Sequence, residues 1–366
     1  MLKLDVKVDD LQKALQAVSS TINDGIMFSF RGKKLLVKSC NDKVENNYMI
    51  ILDKEVDEAC FYVAANLNRY ISGLSLKEEQ YIKLDFDEAK VTVASKKTKA
   101  AFELINPENF VSLAEKVDAS TKSLVFDIKL EDYSKLRSSG KLIGQKSIPN
   151  AEKYKFAFIQ AGEKDWNYFM LDPTKMYKRF CEYAGGKERM LGKLVITNEA
   201  LGYIDFKSSE TVKIAQYGTY VIMNNGMHSA VFTEASMKYI ERINFLKIEG
   251  EKVQLEKFNI RDLKEAIATV ELAKADDIIC IEIKGDKMFV SNTAAKVELD
   301  IEDKGQNAAI KLYAEYFKSV SVLDEPICDI EFNESLMHIG TDTALFVVGL
   351  VRDVRDKEEE GEGKTK

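Results

Sequence analysis

Histidine is nearly absent from this 366-residue chain: there are two, His228 and His338, in different thirds. Much of the usual general acid–base and metal-ligand repertoire goes with it. Cysteine is sparse as well. The five (Cys40, Cys60, Cys181, Cys280, Cys328) are scattered and never form a Cys-x-x-Cys pair, which argues for reduced core thiols over a disulfide framework or a metal site. No run of about 18 apolar residues exists, so no membrane span is expected. The opening Met1–Asp5 lacks the apolar core of a signal peptide, and a cytoplasmic location is expected. Positive charge is also short, at a net −7. That balance argues against a surface that grips nucleic acid all over, while leaving room for one restricted basic face.

What is present is a soluble globular composition, 45% hydrophobic and 31% charged, long enough for two or three domains. The organising stretch is Leu4-Asp5-Val6-Lys7-Val8-Asp9-Asp10-Leu11, an alternating strand that runs into a helix. The helix keeps Leu11, Ala14, Leu15 and Val18 on one stripe, with Asp9 or Asp10 expected as its cap. The same design returns at Phe126–Tyr133, continued by Leu136, and at Phe258–Leu263, continued by Ala266, Ile267 and Val270. Asp10 and Asp132 are 122 positions apart, and Asp132 and Asp262 are 130 apart. This interval is too long for a solenoid period and suits three copies of one small domain.

The later elements support the copies by their order. In the first, a hairpin turns at Gly32-Lys33-Lys34, the strand at Phe61–Ala64 leads into a helix at Asn66–Leu74, and a hairpin turns at Asp87-Glu88. In the second, Lys193–Ile196 leads into a helix at Asn198–Ile204 and a hairpin from Val212 to Met223. In the third, Ala309–Leu312 leads into a helix at Ala314–Val320 and a hairpin turning at Asn333-Glu334. The reading is an α+β chain of three tandem domains, each with two helices packed on antiparallel sheets. Their limits are 1–120, 121–250 and 251–352, followed by a disordered acidic tail at 353–366.

Nothing in the sequence is a credible active site. Asp9-Asp10, Asp276-Asp277 and Asp85/Asp87 are explained by helix ends and a turn. Gly185-Gly186-Lys187 lacks the spacing and the Ser/Thr of a phosphate loop. Neither histidine has a metal-spaced partner, so no metal and no cofactor are expected. The basic residues on the polar sides of the helices are more informative: Lys13, Arg69, Lys135, Arg137, Lys141, Lys264 and Lys318 recur on corresponding elements. Gathered on one surface, they would hold phosphates without base readout. The fourth helix departs from the pattern, carrying Glu199 and Asp205 with only Lys207 nearby. The apolar strand Leu345–Arg352 runs past what closure of a domain needs, and its lip, with Gly349, could dock a partner peptide.

The units Leu4–Val18, Phe61–Leu74 and Leu312–Leu323, and the ending Ala344–Arg352, together resemble the DNA polymerase sliding clamp of the bacterial β type. The resemblance covers residues 1 to 352. It implies a ring-forming, non-enzymatic processivity factor: a head-to-tail homodimer of six domains, its helices lining a channel around double-stranded DNA. The implied partners are a DNA polymerase and a clamp loader. It also implies a partner-peptide pocket at Leu171, Pro173, Lys175, Met176, Arg242, Ile243, Val347, Val348, Gly349, Leu350, Val351 and Arg352. The family's Gly-His-Arg-Leu pocket segment and its C-terminal Met-Pro-Met are replaced here, by Leu171–Met176 and Gly349-Leu350-Val351. Such a divergent chain fits a clamp with its own partners, including a viral one. The ring junction is expected to pair Phe102 and Leu104 with the helix near Val270 and Leu272. The competing reading is a repeat-built scaffold that binds partner peptides without DNA; a hydrolase built on carboxylate pairs is disfavoured by the shortage of histidine.

Overall fold

Leu2, Leu4 and Val6 alternate with Lys3, Asp5 and Lys7 to give an edge strand, and a 3.6-residue period takes over at Val8. The helix that follows buries Val8, Leu11, Ala14, Leu15 and Val18. Lys7 stands at its N-cap without a side-chain bond. Asp9 and Asp10, expected as caps, lie inside the first turn and complement the helix dipole instead. The computed structural model describes residues 2–75, 80–96, 98–143, 155–186, 188–206, 210–240, 248, 250–275, 277–302 and 307–351.

The first third forms β1 (Leu2–Lys7), α1 (Val8–Val18), β2 (Gly25–Cys40), β3 (Val44–Ala64), α2 (Asn66–Ser72), β4 (Tyr81–Phe86), β5 (Lys90–Ala94) and β6 (Lys99–Ile105). The middle third forms β7 (Lys122–Lys129), α3 (Leu130–Leu142), β8 (Phe156–Ala161), β9 (Asp165–Leu171), β10 (Lys175–Glu182), β11 (Gly192–Thr197), α4 (Asn198–Tyr203), β12 (Thr211–Tyr217), β13 (Tyr220–Asn224) and β14 (His228–Thr233). The last third forms β15 (Val253–Asn259), α5 (Ile260–Ala273), β16 (Ile278–Lys284), β17 (Lys287–Ser291), β18 (Lys296–Asp300), β19 (Asn307–Tyr313), α6 (Ala314–Lys318), β20 (Ile327–Phe332), β21 (Leu336–Gly340) and β22 (Ala344–Gly349). The long strands β2 and β3 pair along their length, with bulges on either side of Gly32, whose φ of 58° suits glycine at the bend.

One turn recurs in all three thirds. Asn41 Oδ1 accepts from the amides of Lys43 and Val44. Asp172 Oδ1 accepts from those of Thr174 and Lys175, and Asn292 Oδ1 from those of Ala294 and Ala295. Each closes the hairpin that leads into β3, β10 or β18, because a short Asx side chain can stand in for the missing backbone partner.

The chain divides into two compact units, residues 1–134, 160–164 and 182–237, and residues 135–159, 165–181 and 238–366. Neither follows the expected limits at 120 and 250, because sheets run across both. In the first unit the strand order is β1-β4-β5-β6-β3-β14-β13-β12-β7, with β2 paired to β3. Strand β3 meets β14 antiparallel, from Val44 opposite Phe232 to Tyr48 opposite His228. In the second unit the order β8-β9-β10-β22-β21-β20-β15 crosses the other expected limit, with Lys175 opposite Val348 through Arg179 opposite Ala344. The remaining sheet is β18-β17-β16-β19.

Both units have aromatic cores. Phe61 stacks on Phe86 with centroids 4.3 Å apart in the first, and Trp166, Tyr168 and Tyr177 are fully buried in the second. In the first unit the segment after β6 is fastened by a buried carboxylate. Glu45 Oε2 accepts from Ser112 Oγ at 2.9 Å, Leu113 N at 2.6 Å and Ala114 N at 2.9 Å. Beside the β3–β14 pairing, buried Asn46 joins the Tyr203 carbonyl at 3.0 Å and lies 3.3 Å from His228 Nε2. The five cysteines stand as free thiols.

Candidate nucleic-acid interface and partner-binding surface

The helices carry the predicted cations because their apolar stripes are spent on the sheets, which turns lysine and arginine outward. Lys13 lies on the exposed side of α1, with its ammonium 2.5 Å from Asp9 one turn earlier. That hydrogen bond raises its pKa. Arg69 is exposed on α2 and makes no ion pair among the described residues. The orientation of α2 is set from α1: the Gln12 amide donates to the carbonyls of Ile71 and Leu74 at its C-terminal end. Lys135 on α3 is half-buried and bonded at 2.9 Å to Asp324, which also lies 3.5 Å from the buried Arg179 guanidinium. Arg137 is half-buried and Lys141 is exposed. Lys264 on α5 is half-buried, and burial lowers its pKa. Lys318 on α6 is exposed and pairs with Glu271 at 3.0 Å.

Lys13, Lys135 and Lys318 are therefore already paired with carboxylates of the chain. The partners of Lys135 and Lys318 are distant in sequence, and only folding brings them together. Helix α4 carries the opposite charge, with Glu199 receiving the Lys43 ammonium at 2.7 Å. Arg261, exposed in the first turn of α5, escaped the sequence reading and makes no ion pair among the described residues.

The predicted peptide-pocket residues converge in the second unit because β10 and β22 pair. Met176 faces Val347 and Lys175 faces Val348 in register. Met176, Lys175, Val347 and Val348 are buried, Leu171, Gly349, Leu350 and Val351 are half-buried, and Pro173 is exposed. Arg242, Ile243 and Arg352 lie outside the described residues. The residues beyond Val348 are held by the backbone: Gly349 N donates to Thr174 O at 2.6 Å, Leu350 N to Ser335 O and Val351 N to Lys311 O. A Cβ at Gly349 would meet that Thr174 carbonyl at 3.2 Å. Gly349→Ala is thus expected to cost about 1 kcal/mol and Gly349→Val about 2 kcal/mol, read as successive losses in urea midpoint; a midpoint unchanged for Val would show that the lip yields freely.

Two aromatic residues here went unread in the sequence. The Lys175 ammonium sits 5.9 Å from the Tyr316 ring centroid, and Tyr313 packs against Tyr316 at 4.9 Å. Tyr313 also faces Ile278 across β16–β19, and both are more than a third exposed. Their spacing, Tyr-x-x-Tyr at the start of α6, was the available signal.

The expected ring-junction residues fare unevenly. Val270 is fully buried on the core stripe of α5 and Phe102 is 7% exposed in the first unit, so neither offers surface for a junction. Leu104 is half-buried, and Leu272 is 89% exposed. Val270 continues the buried stripe of Leu263, Ala266 and Ile267, whereas Leu272 lies on the outer face of α5.

Two clefts lie apart from these surfaces, one of about 420 Å³ beside Leu4, Asp53 and Tyr81 and one of about 670 Å³ beside Lys257, Ile327 and Asp329. In the first the Tyr81 hydroxyl donates to Asp53 at 3.3 Å, and the second is lined by Cys328 with Glu256, Glu325 and Asp329. Burial pushes the Cys328 thiol, beside the second cleft, up to about 12 and Cys40 up to about 11, which leaves no thiolate near neutral pH.

No protein-family model matches the sequence, and no curated protein does. Solved structures do. The DNA polymerase sliding clamp of Pseudomonas aeruginosa matches with a TM-score of 0.83 at 14% identity, over 96% of this chain and 100% of that one. The Pseudomonas aeruginosa clamp bound to griselimycin matches with a TM-score of 0.82 at 14% identity, over 96% and 99% of the two chains. The Helicobacter pylori beta clamp bound to a DNA ligase peptide matches at 0.79 and 14% identity, over 96% and 100%. At this identity the likeness is one of fold. From β1 to β22, the chain has the fold of the bacterial β sliding clamp.

Proposed function

We propose that this chain is a sliding clamp: a homodimeric ring of three domains per chain, at about residues 1–120, 121–250 and 251–352, that encircles duplex DNA and tethers a DNA polymerase. The observation that carries the reading is the fold match over 96% of this chain and 100% of the Pseudomonas aeruginosa clamp. The outward cations of α1, α2, α3, α5 and α6 support it, because a ring lined by them holds phosphates without reading bases. The role needs no chemistry from the chain. The lip at Gly349–Val351, with Leu171, Pro173, Tyr313 and Tyr316, is the surface on which a partner's apolar peptide would rest; a Helicobacter pylori clamp of this fold binds a DNA ligase peptide.

The test is topological. Loaded by its clamp loader onto nicked circular DNA, the protein is expected to stay bound through a 0.5 M salt wash and to leave once the circle is linearised. Equal loss from circle and line would remove the encircling role. A second reading, a scaffold for peptides alone, is favoured by one observation: Asp9, Asp324 and Glu271 already occupy three of the cations. It predicts partner binding with no retention on circular DNA.

A further inference from the structure

Strands β1, β7 and β15 hold the same place in their thirds, because each runs into a helix whose first amide is fixed in the same way. Val8 N donates to Gln80 O, Leu130 N to Glu210 O and Ile260 N to Pro326 O. Counted back from these amides, Asp5, Asp127 and Lys257 are equivalent, and so are Lys3 and Val125. Alternate residues of an antiparallel ladder turn their N–H and C=O toward the partner strand. Lys3 and Asp5 on β1, and Val125 and Asp127 on β7, therefore turn theirs to the outer edge.

Two of the three outer edges are closed. On β7 the chain's own segment 184–190 closes it: Ala184 N donates to Asp127 O at 3.0 Å, and Val125 and Met190 exchange amide bonds at 3.3 and 2.8 Å. The fit is close. A Cβ on Gly186 would meet Asp127 Oδ2 at 1.9 Å, and Glu188 pairs with Lys122 and, at 3.5 Å, with Lys213. On β15 a bulge with Lys257 at a φ of 54° turns the Lys257 amide back to Asp329 Oδ1 at 2.9 Å. Strand β1 has neither device. It pairs regularly with β4 and ends its sheet among the described residues. The counterpart of the closing segment, Leu52–Val56, stays beside β2, and the cleft of about 420 Å³ lies between it and Lys3–Asp5.

We propose that this slot takes an extended segment of a partner protein, added antiparallel to β1. It bonds to the Lys3 amide and to the Lys3 and Asp5 carbonyls as Met190 and Ala184 bond to Val125 and Asp127. The closing segment on β7 also indicates which side chains fit. Asp5 repeats Asp127, so the residue over it is a glycine. Lys83 faces Asp5 as Lys213 faces Asp127, and it is exposed, so an acidic side chain placed like Glu188 meets a cation. Around the cleft, Asp5, Asp53 and Glu55 are exposed carboxylates, set against Lys54 and a Lys3 already tied to Asp85 at 3.1 Å. Basic residues flanking the acidic one answer that excess. The occupant is thus a strand of the pattern glycine-basic-acidic-basic, which Gly186-Lys187-Glu188-Arg189 spells within this chain. The proposal needs neither the ring nor the lip at Gly349–Val351.

The experiment titrates the full-length protein into a fluorescent peptide with the sequence of Tyr183–Leu191 and follows anisotropy. Saturable binding is expected, and a scrambled peptide of the same composition should bind at least about tenfold more weakly. Lys3→Pro removes the outward amide at a place where an edge strand tolerates proline, and should weaken binding roughly tenfold. Asp53→Lys with Glu55→Lys should weaken it about as much, with recovery for a peptide carrying Lys187→Glu and Arg189→Glu. No saturation by about 1 mM, equal binding of the scrambled peptide, or no recovery after charge exchange would overturn the proposal. Binding that survives Lys3→Pro would also overturn it, since the peptide would then be displacing segment 184–190 from β7 or sitting elsewhere. A dimer that separates at saturating peptide, or a tail that trypsin cuts only when peptide is present, would give the slot to a second copy or to residues 353–366 and overturn the partner. Retention on circular DNA is a separate readout, so this proposal and the clamp reading can fail independently.

Discussion

A protein carrying Arg69→Glu and Lys264→Glu is expected to bind duplex DNA roughly 10²–10³-fold more weakly at 0.1 M salt and to lose most of its salt dependence. The matched protein with Lys13→Glu and Lys318→Glu should lose less, by at least about tenfold. Each phosphate contact contributes close to one unit of salt slope, and a ring of two chains would lose four contacts. The contrast follows from the pairing. Lys13 and Lys318 are held by Asp9 and Glu271, and must exchange those carboxylates for a phosphate. Among the described residues, Arg69 and Lys264 make no ion pair, and Lys264 feels Asp324 only at longer range. At physiological salt the field of a charge decays within about 8 Å, so direct contact counts for more than net charge. Titrating a short duplex from 50 to 300 mM salt measures both slopes. Indistinguishable losses from the two doubles would mean that these side chains act only through bulk charge.

Acid should loosen the first unit through one residue. His228 is 1% exposed where β14 meets β3, and burial pushes its imidazole down to about 4, against a smaller upward pull from Asp205. An unfolded histidine takes its proton near 6.5. Between pH 6.5 and 4 the unfolded chain therefore binds a proton that the folded chain refuses, and stability falls as the pH falls through that window. Below about 4 both states are protonated and this contribution stops changing. The whole loss is on the order of 3 kcal/mol. His228→Gln, which retains a donor for Asn46, should flatten that window while costing some stability at neutral pH. Urea midpoints at pH 7.5, 5.5 and 4.0 for both proteins isolate the effect, and parallel curves would acquit His228.

Much of the fold was legible because its signals are local. Period-two apolar residues that switch to a 3.6-residue period marked β1–α1, β7–α3 and β15–α5, and the turns at Asp87 and Asn333 announced their hairpins; Gly32, expected to turn a hairpin, instead sits at a bulge inside the unbroken strand β2, because the chain on both sides of it pairs with β3. What escaped was either spelled in different letters or depended on distant partners. The recurring Asx turn is Asn at 41, Asp at 172 and Asn at 292, three interchangeable acceptors that a search for identical residues passes over. Lys135 and Asp324 lie 189 positions apart, so nothing local could say that this cation was spoken for. Val270 sits on the apolar stripe legible in the sequence, and packing on the sheet leaves it no surface for a junction.

The Glu45 carboxylate gives the passage between the first two thirds an unusual mechanical character. Three donors from consecutive residues converge on one of its oxygens in a dry setting, so Ser112–Ala114 behaves as a riveted bracket where a leash would be expected. Bending between those thirds would strand a buried charge, so compliance has to come from places without such a fastening.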